Sequence, residues 1–219
     1  MSHNKKVFII TGHYGTGKTN VCINLAVRYA KSGLTTAVCD LDVINPYFKT
    51  ADARYVFEQY GISFLEPKFA NTNLDIPALP ASIDAIFAAE HDILILDVGG
   101  DDAGAFSLGR YRDKIKTFNY EMYYVINKYR PMISEHDDAV YNLRDIEAAC
   151  KLKATGIINN SNLGTITVYN DIVSSFKYAK EISKETGLPV VYTGIKEELV
   201  EDDMVGDILA MKLYTKKYW

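Results

Sequence analysis

A complete G-x-x-x-x-G-K-T phosphate-binding loop lies near the amino end of the chain, and few short motifs demand so particular a backbone around them. The loop comprises Gly12, His13, Tyr14, Gly15, Thr16, Gly17, Lys18 and Thr19. In such a loop the glycines let successive backbone N–H groups surround a phosphate, the lysine bridges two phosphates, and the threonine hydroxyl binds Mg²⁺. The motif predicts binding of a nucleoside triphosphate with Mg²⁺, and Asn20, the next residue, is expected at the same site.

The segments on either side of the loop support this interpretation. Lys6–Thr11 is a short apolar run suited to a buried strand, and residues 21–27 have the spacing of an amphipathic helix. The amino end of that helix would direct its partial positive charge at the phosphates. A strand, the loop and a helix in this order are the context that the motif requires.

The rest of the chain alternates strand-like and helix-like segments. We predict further strands at residues 35–42, 62–65, 92–97, 122–126, 154–158 and 189–193. We predict helices at residues 50–60, 82–89, 138–152, 169–186 and 205–214. This alternation predicts an α/β fold with a mostly parallel sheet between two layers of helices, forming a single P-loop domain over residues 1–219. Ligands of such sheets bind beyond the carboxyl ends of the strands, where the loop falls.

Two acidic motifs follow predicted strands. Asp97 and Gly100 form a D-x-x-G motif, in which the carboxylate can hold Mg²⁺ and the Gly100 N–H can meet the γ-phosphate. Asp40 and Asp42 end the second strand on the same side, because side chains alternate along a strand. A carboxylate there can orient the attacking water or a metal-bound water, and Asp42 is the stronger candidate because a turn-capping role explains Asp40 equally well.

Together these motifs resemble the MinD/ParA/CobQ group of P-loop ATPases, which has the SIMIBI-class nucleotide-binding domain. The resemblance covers roughly residues 6–195 and implies that Lys18 and Asp42 act in ATP hydrolysis. It also implies that Thr19, Asp42 and Asp97 hold Mg²⁺, and that Gly100 belongs to a nucleotide-sensing switch. An asparagine after the strand at 154–158 fits the position that binds adenine in this group: we favour Asn160, with Asn159 one register away.

One departure concerns the cation that meets the phosphates. Partitioning-type members of the group carry a lysine after the first glycine of the loop, and here that residue is His13. A neutral imidazole donates one hydrogen bond but supplies no permanent positive charge. We therefore consider Arg110, Arg112 and Lys49 as alternative cations for the phosphates. A homodimer in which a lysine of one chain contacts the nucleotide of the other is less expected here than in partitioning-type members, although another kind of homodimer remains open.

We expect ATP rather than GTP. Asn127-Lys128-Tyr129-Arg130 begins like the guanine-binding N-K-x-D motif, but it has Arg130 where the hydrogen-bond acceptor must stand. Arginine can only donate hydrogen bonds, so we interpret the match as coincidental.

Composition excludes several classes of function. The 219 residues carry a formal charge of −4, so no general attraction to nucleic acid or to an anionic membrane is expected. The three cysteines are far apart, and no apolar run reaches the length of a membrane span, so a cytoplasmic protein without a cysteine metal site is expected. His136, Asp137 and Asp138 lack the spacing of a metal site, and we expect Asp137 or Asp138 to cap a helix.

Two classes of function remain open, and a third possibility is a regulator that binds ATP and barely hydrolyses it. The first is a slow ATPase whose switch loops signal the nucleotide state to a protein partner. The second is an ATP-dependent ligase or phosphotransferase of the dethiobiotin-synthetase or cobyrinate-amidase kind, acting on a small carboxylate. The aromatic and basic segment at residues 45–49 can serve either as a substrate pocket or as a partner-binding surface.

Overall fold

A computed structural model of the chain describes residues 5–41, 53–65, 84–100, 102–201, 204 and 206–214. The strands are β1 (Lys6–Thr11), β2 (Thr36–Asp40), β3 (Ser63–Leu65), β4 (Ile93–Asp97), β5 (Asn119–Ile126), β6 (Gly156–Asn159), β7 (Val190–Lys196) and β8 (Ile208–Met211). They form one sheet in the order β3-β2-β4-β1-β5-β6-β7-β8, and every neighbouring pair is parallel. This confirms the predicted α/β class.

Helices cover both faces of the sheet. They are α1 (Lys18–Lys31), α2 (Arg54–Tyr60), α3 (84–88 among the described residues), α4 (Asp102–Gly109), α5 (Arg112–Ile115), α6 (His136–Cys150) and α7 (Tyr169–Thr186). None of these helices, as far as the chain is described, combines the length and apolar character needed to cross a bilayer.

The central strand β1 shows why the core has two halves. Val7 and Ile9 point to the face covered by α3 to α7, whereas Phe8 and Ile10 point to the face covered by α1 and α2. All four side chains are buried, with at most 1% of their surface exposed. A strand buried on both faces reads as a continuous apolar run, which is how β1 and β4 appear in the sequence.

The carboxyl end of the chain differs from the prediction. The helix expected at residues 205–214 is wrong: Ile208–Met211 is the edge strand β8, parallel to β7. Leu209 and Met211 are buried in the core beside α1, while Ala210 is exposed, so the burial alternates as in a strand. Four residues are too few to show whether an apolar pattern is helical or extended.

Two smaller predictions also need correction. Asp137 and Asp138 do not cap α6: the helix begins at His136 after Glu135, so both carboxylates lie in the first turn, where the helix dipole favours them. The helices α4 and α5 were not predicted at all. The segment Asp102–Gly109 contains two glycines, and glycine weakens a helical signal in the sequence.

The topology places the carboxyl ends of five strands side by side. β1 lies between β4 and β5, and β2 and β6 flank these three strands. The phosphate-binding loop follows β1, and the D-x-x-G motif follows β4, so both occupy the same carboxyl edge of the sheet. The crevice outside the carboxyl ends of such strands is the usual ligand site of open α/β sheets.

Candidate nucleotide-binding site

The phosphate-binding loop has a backbone that two of its glycines make possible. Gly12 has a φ of 147°, and a Cβ there would lie 2.3 Å from the Val125 carbonyl oxygen of β5. Gly17, which precedes α1, has a φ of 88°, and a Cβ there would lie 2.4 Å from the Asn160 side-chain nitrogen. Both positions therefore need glycine for conformation and for space.

The His13 carbonyl oxygen organises the interior of the loop. It accepts hydrogen bonds from the Thr16 hydroxyl at 2.9 Å, the Thr16 backbone N–H at 3.3 Å and the Lys18 ammonium at 3.3 Å. Lys18 is 7% exposed, so its charge is held within the loop rather than in bulk solvent. An ammonium placed in this way can neutralise a phosphate bound by the loop amides. The imidazole of His13 itself lies within 3.0 Å of the Tyr14 carbonyl oxygen.

Thr19 of the phosphate-binding loop and Asp97 of the D-x-x-G motif lie next to each other in the structure. The Thr19 hydroxyl donates to the Asp97 carboxylate at 2.7 Å, although 78 residues separate them in the sequence. Asp97 is 1% exposed at the end of β4. A hydroxyl and a carboxylate are the hard oxygen ligands that Mg²⁺ takes directly or through water, and they adjoin the loop that would bind phosphates. The residues therefore fit a magnesium ion.

The second acidic motif is described only in part. Asp40 ends β2 directly opposite Asp97 of β4, and the Leu41 backbone N–H donates to the Asp97 carbonyl oxygen at 2.8 Å. Asp40 therefore ends its strand beside the residue that would bind the metal. Asp42, the favoured water-orienting carboxylate and third magnesium ligand, lies outside the described residues, as does Lys49.

The D-x-x-G motif lies against the phosphate-binding loop. The Val98 N–H donates to the Ile10 carbonyl oxygen at 3.0 Å, which continues the pairing of β4 with β1. A Cβ on Gly100 would lie 1.6 Å from the Gly12 carbonyl oxygen, so only glycine permits this approach. The backbone at Gly100 thus touches the loop where the phosphates are expected.

Asn160, rather than Asn159, reaches the loop. The Asn160 amide donates to the Thr16 carbonyl oxygen at 2.7 Å. Asn159 is fully buried, donates to the Ser175 hydroxyl at 2.9 Å and accepts from Ser161. Asn160 therefore braces the loop in this structure, and its predicted contact with adenine would require this hydrogen bond to break or to be shared.

Asn20 faces away from the loop. Its side-chain oxygen Oδ1 accepts the Tyr214 backbone N–H at 2.9 Å, and the residue is 9% exposed. One turn further along α1, Asn24 accepts from the Lys212 N–H and donates to the Lys212 carbonyl oxygen, both at 2.9 Å. The two asparagines hold the segment that follows β8, so any contact of Asn20 with nucleotide would fall to its backbone.

The alternative arginines have other contacts among the described residues. The Arg110 guanidinium lies 5.5 Å from the centre of the Phe106 ring, and Arg112 pairs with Asp113 at 3.3 Å. Neither has a described hydrogen bond to the phosphate-binding loop.

The segment at residues 127–130, whose match to a guanine-binding motif we interpreted as coincidental, adjoins the phosphate-binding loop. Asn127 accepts the Tyr129 N–H at 3.0 Å and donates to the Asn162 carbonyl oxygen at 3.2 Å, which joins the turns after β5 and β6. Arg130 then packs on the loop: a Cβ on Gly15 would lie 3.3 Å from its Nε. One indication of this contact was available in the sequence: the segment follows a strand that could pair with β1, so it could lie at the same edge of the sheet as the loop.

Two buried thiols lie beneath the site. Burial raises the pKa of the Cys22 thiol well above its usual range, and the Asp97 carboxylate raises it further. Burial also raises the pKa of Cys39, with a smaller contribution from Asp40. Thiols kept protonated in this way are poor metal ligands, because the thiolate is the ligating form.

Comparisons with known proteins place the fold and the family of this chain. Among the solved structures that the chain matches by fold is FtsY from Thermotoga maritima (TM-score 0.60, 19% identity, 90% of this chain and 64% of that chain). Two others are the GDP complex of the signal recognition particle receptor FtsY from Elizabethkingia anophelis (TM-score 0.59, 18% identity, 89% of this chain and 58% of that chain) and the ADP complex of a nucleotide-binding protein from Archaeoglobus fulgidus (TM-score 0.55, 18% identity, 90% of this chain and 84% of that chain). The chain therefore spans less than two thirds of either FtsY chain, and at these identities the likeness concerns the fold.

A search of curated proteins finds no match. A family model, by contrast, matches residues 7–163, from the first strand through the turn after β6, and this stretch contains the loop, both acidic motifs and Asn160. The chain belongs to the CobQ/CobB/MinD/ParA nucleotide-binding domain family.

Proposed function

We propose that the protein binds ATP with Mg²⁺ and hydrolyses it slowly, and that its switch loops signal the nucleotide state to a protein partner. The observation that carries the proposal is the 2.7 Å hydrogen bond between Thr19 and Asp97 beside the loop lysine. This bond brings together the two magnesium-binding groups of a P-loop NTPase, one from each predicted motif. Two neighbours of the same fold are complexes with nucleoside diphosphates.

The choice of adenine rests on hydrogen-bond chemistry. Guanine recognition at the turn after β5 needs a side-chain acceptor for the N–H groups of the base, and Arg130 offers donors alone. The amide of Asn160 can both donate and accept, and it lies against the loop. ATP is therefore the nucleotide that these residues favour.

The switch role rests on the contact between the D-x-x-G motif and the loop. The backbone at Gly100 lies against Gly12, so a γ-phosphate entering the loop must meet or displace this segment. Residues 102–109 then form α4, so a shift at Gly100 would pass into a helix that a partner could contact. The partner can be another protein or a second copy of the chain.

Binding is tested by calorimetry with ATP and GTP, each with Mg²⁺ and with a chelator. We expect ATP to bind more tightly than GTP and Mg²⁺ to strengthen ATP binding. Lys18→Ala should abolish binding, whereas Lys177→Ala, a matched change at an exposed lysine of α7, should leave it unchanged. Absence of heat with both nucleotides would refute the proposal.

Hydrolysis is tested by phosphate release. Slow turnover without any added substrate is expected, and Asp42→Ala should spare ATP binding while lowering turnover. Turnover that begins only when a small carboxylic acid is added would favour the ligase alternative, whose proposed pocket at residues 45–49 lies outside the described part of the chain.

A further inference from the structure

Arg130 packs against the middle of the phosphate-binding loop. A Cβ placed on Gly15 would lie 3.3 Å from the Arg130 Nε, 3.4 Å from its Cζ and 3.5 Å from its Cδ. The guanidinium end of Arg130 therefore lies beside the fourth of the loop's eight residues. Lys18, itself a residue of the loop, donates a hydrogen bond to the His13 carbonyl oxygen.

The position of Arg130 is fixed by its backbone. Its N–H donates to the Asn127 carbonyl oxygen at 3.0 Å, and its own carbonyl oxygen accepts the Ile133 N–H at 3.0 Å across the short turn that begins at Pro131. Asn127 in turn joins this turn to the one after β6. The side chain therefore projects from a braced turn rather than from a mobile surface segment.

The Nε of Arg130 is buried and has no hydrogen-bond partner in the structure. No carboxylate among the described residues forms an ion pair with this guanidinium, in contrast to Arg112 and Arg144, which pair with Asp113 and Glu185. A buried donor without an acceptor is costly, and in a native structure such a group requires an explanation, for example a functional role or a bound water or ion that supplies the acceptor. The cationic fork of arginine matches the oxygens of a phosphate.

We propose that Arg130 is a nucleotide-binding residue whose guanidinium contacts the phosphate chain held by the loop of the same polypeptide. The proposal rests on the proposed function, because it needs a polyphosphate in the loop. It assigns to the chain a second intramolecular positive charge besides Lys18, supplied from the turn after β5. The ligand class is an inorganic or nucleoside polyphosphate, because Arg130 lies beside the loop residues whose backbone amides would bind phosphate, and a guanidinium offers no acceptor for the base.

The test compares Arg130→Gln, Arg130→Lys and Arg144→Gln with the wild type, using Mg²⁺-ATP, Mg²⁺-ADP and Mg²⁺-pyrophosphate as probes in calorimetry. Arg144 is a suitable control because its side chain is 65% exposed on α6. We expect Arg130→Gln to weaken ATP and pyrophosphate binding by at least tenfold each. Arg130→Lys should retain part of this affinity, because it keeps the charge, and Arg144→Gln should behave as wild type.

Three outcomes overturn the proposal. If Arg130→Gln binds pyrophosphate as tightly as Arg144→Gln does, the arginine makes no phosphate contact. If ATP binding weakens while pyrophosphate binding does not, the contact is with the base or ribose. If Arg130→Gln fails to fold, Arg130→Lys serves as the test variant. If Arg130→Lys folds but binds pyrophosphate no better than Lys18→Ala does, the positive charge at this position does not support phosphate binding. A wild-type protein that binds no polyphosphate refutes the proposed function itself, whereas the first two outcomes leave that function standing.

Discussion

Replacing Gly100 with alanine should separate the D-x-x-G motif from the phosphate-binding loop. The new Cβ would lie 1.6 Å from the Gly12 carbonyl oxygen and 3.1 Å from the His13 Cα, both of them backbone atoms. Because real Cβ contacts are essentially never below 3.0 Å, the two segments must move apart by roughly 1.5 Å. Gly12 is itself backed by the Val125 carbonyl oxygen, so the segment at Gly100 is the one that must yield.

The consequence should be selective for the γ-phosphate. A shift of roughly 1.5 Å breaks the hydrogen bond that we expect the Gly100 N–H to donate to that phosphate, since N–H···O bonds in proteins have donor–acceptor distances of about 2.7–3.2 Å. A hydrogen bond to a charged group contributes about 1.5–3 kcal/mol, which corresponds to a loss of ATP affinity between about tenfold and a hundredfold. ADP affinity should be unchanged. The overpacking should also lower the free energy of unfolding by about 1–3 kcal/mol.

Calorimetric titration of Gly100→Ala with Mg²⁺-ATP and Mg²⁺-ADP, together with thermal unfolding, measures both effects. Gly33→Ala is the matched control, because Gly33 follows α1 with a φ of 82° and nothing within 4 Å of a new Cβ. It should lower stability through backbone strain alone and leave both affinities unchanged. Equal losses of ATP and ADP affinity in Gly100→Ala, or no loss of either, would refute the reasoning.

Three further perturbations test other parts of the structure. Thr19→Val removes the hydroxyl that contacts Asp97, so ATP affinity should become insensitive to a magnesium chelator; calorimetry that still shows a magnesium effect would contradict the assignment. Asn24→Ala removes both hydrogen bonds to the Lys212 backbone, so we expect about 1–3 kcal/mol less stability and faster amide exchange in β8, and unchanged exchange would count against this contact. Thiol titration at pH 8 should show reaction only after denaturation, because all the cysteines are buried and their pKa values are raised; these are Cys22, Cys39 and Cys150.

Much of the fold could be predicted because the local and the global signals agree. β1 matches its predicted bounds, Lys6–Thr11, and α7 matches residues 169–186. The apolar residues of β1 form a continuous run, as in a strand buried on both faces, and those of α7 recur about every 3.6 residues, as in a helix. The segment at 208–211 has no such length, and its conformation depends on pairing with β7 and on side chains of α1, which are distant in the sequence.

The site divides in the same way. Thr19 and Asp97 were each predicted to bind Mg²⁺ from separate motifs, and the structure places their side chains within hydrogen-bond distance of each other. The contact of Arg130 with Gly15 could not be predicted, because it depends on the turn after β5 folding back over the loop after β1. The sequence shows only that Arg130 is unable to accept hydrogen bonds from guanine, and it does not indicate what Arg130 contacts instead.

Asn20 shows how one position can join the nucleotide site to a distant segment. It follows Thr19 directly, so its backbone belongs to the loop end that would bind phosphate, while its side chain holds the Tyr214 N–H at 2.9 Å. Asn24, four residues on and therefore on the same face of α1, holds Lys212. The first two turns of α1 and the segment after β8 are therefore joined by the side-chain amides of two buried asparagines. Hydrogen bonds thus connect the edge of the sheet at β8 with the helix that follows the loop, although β8 and β1 are separated by three strands.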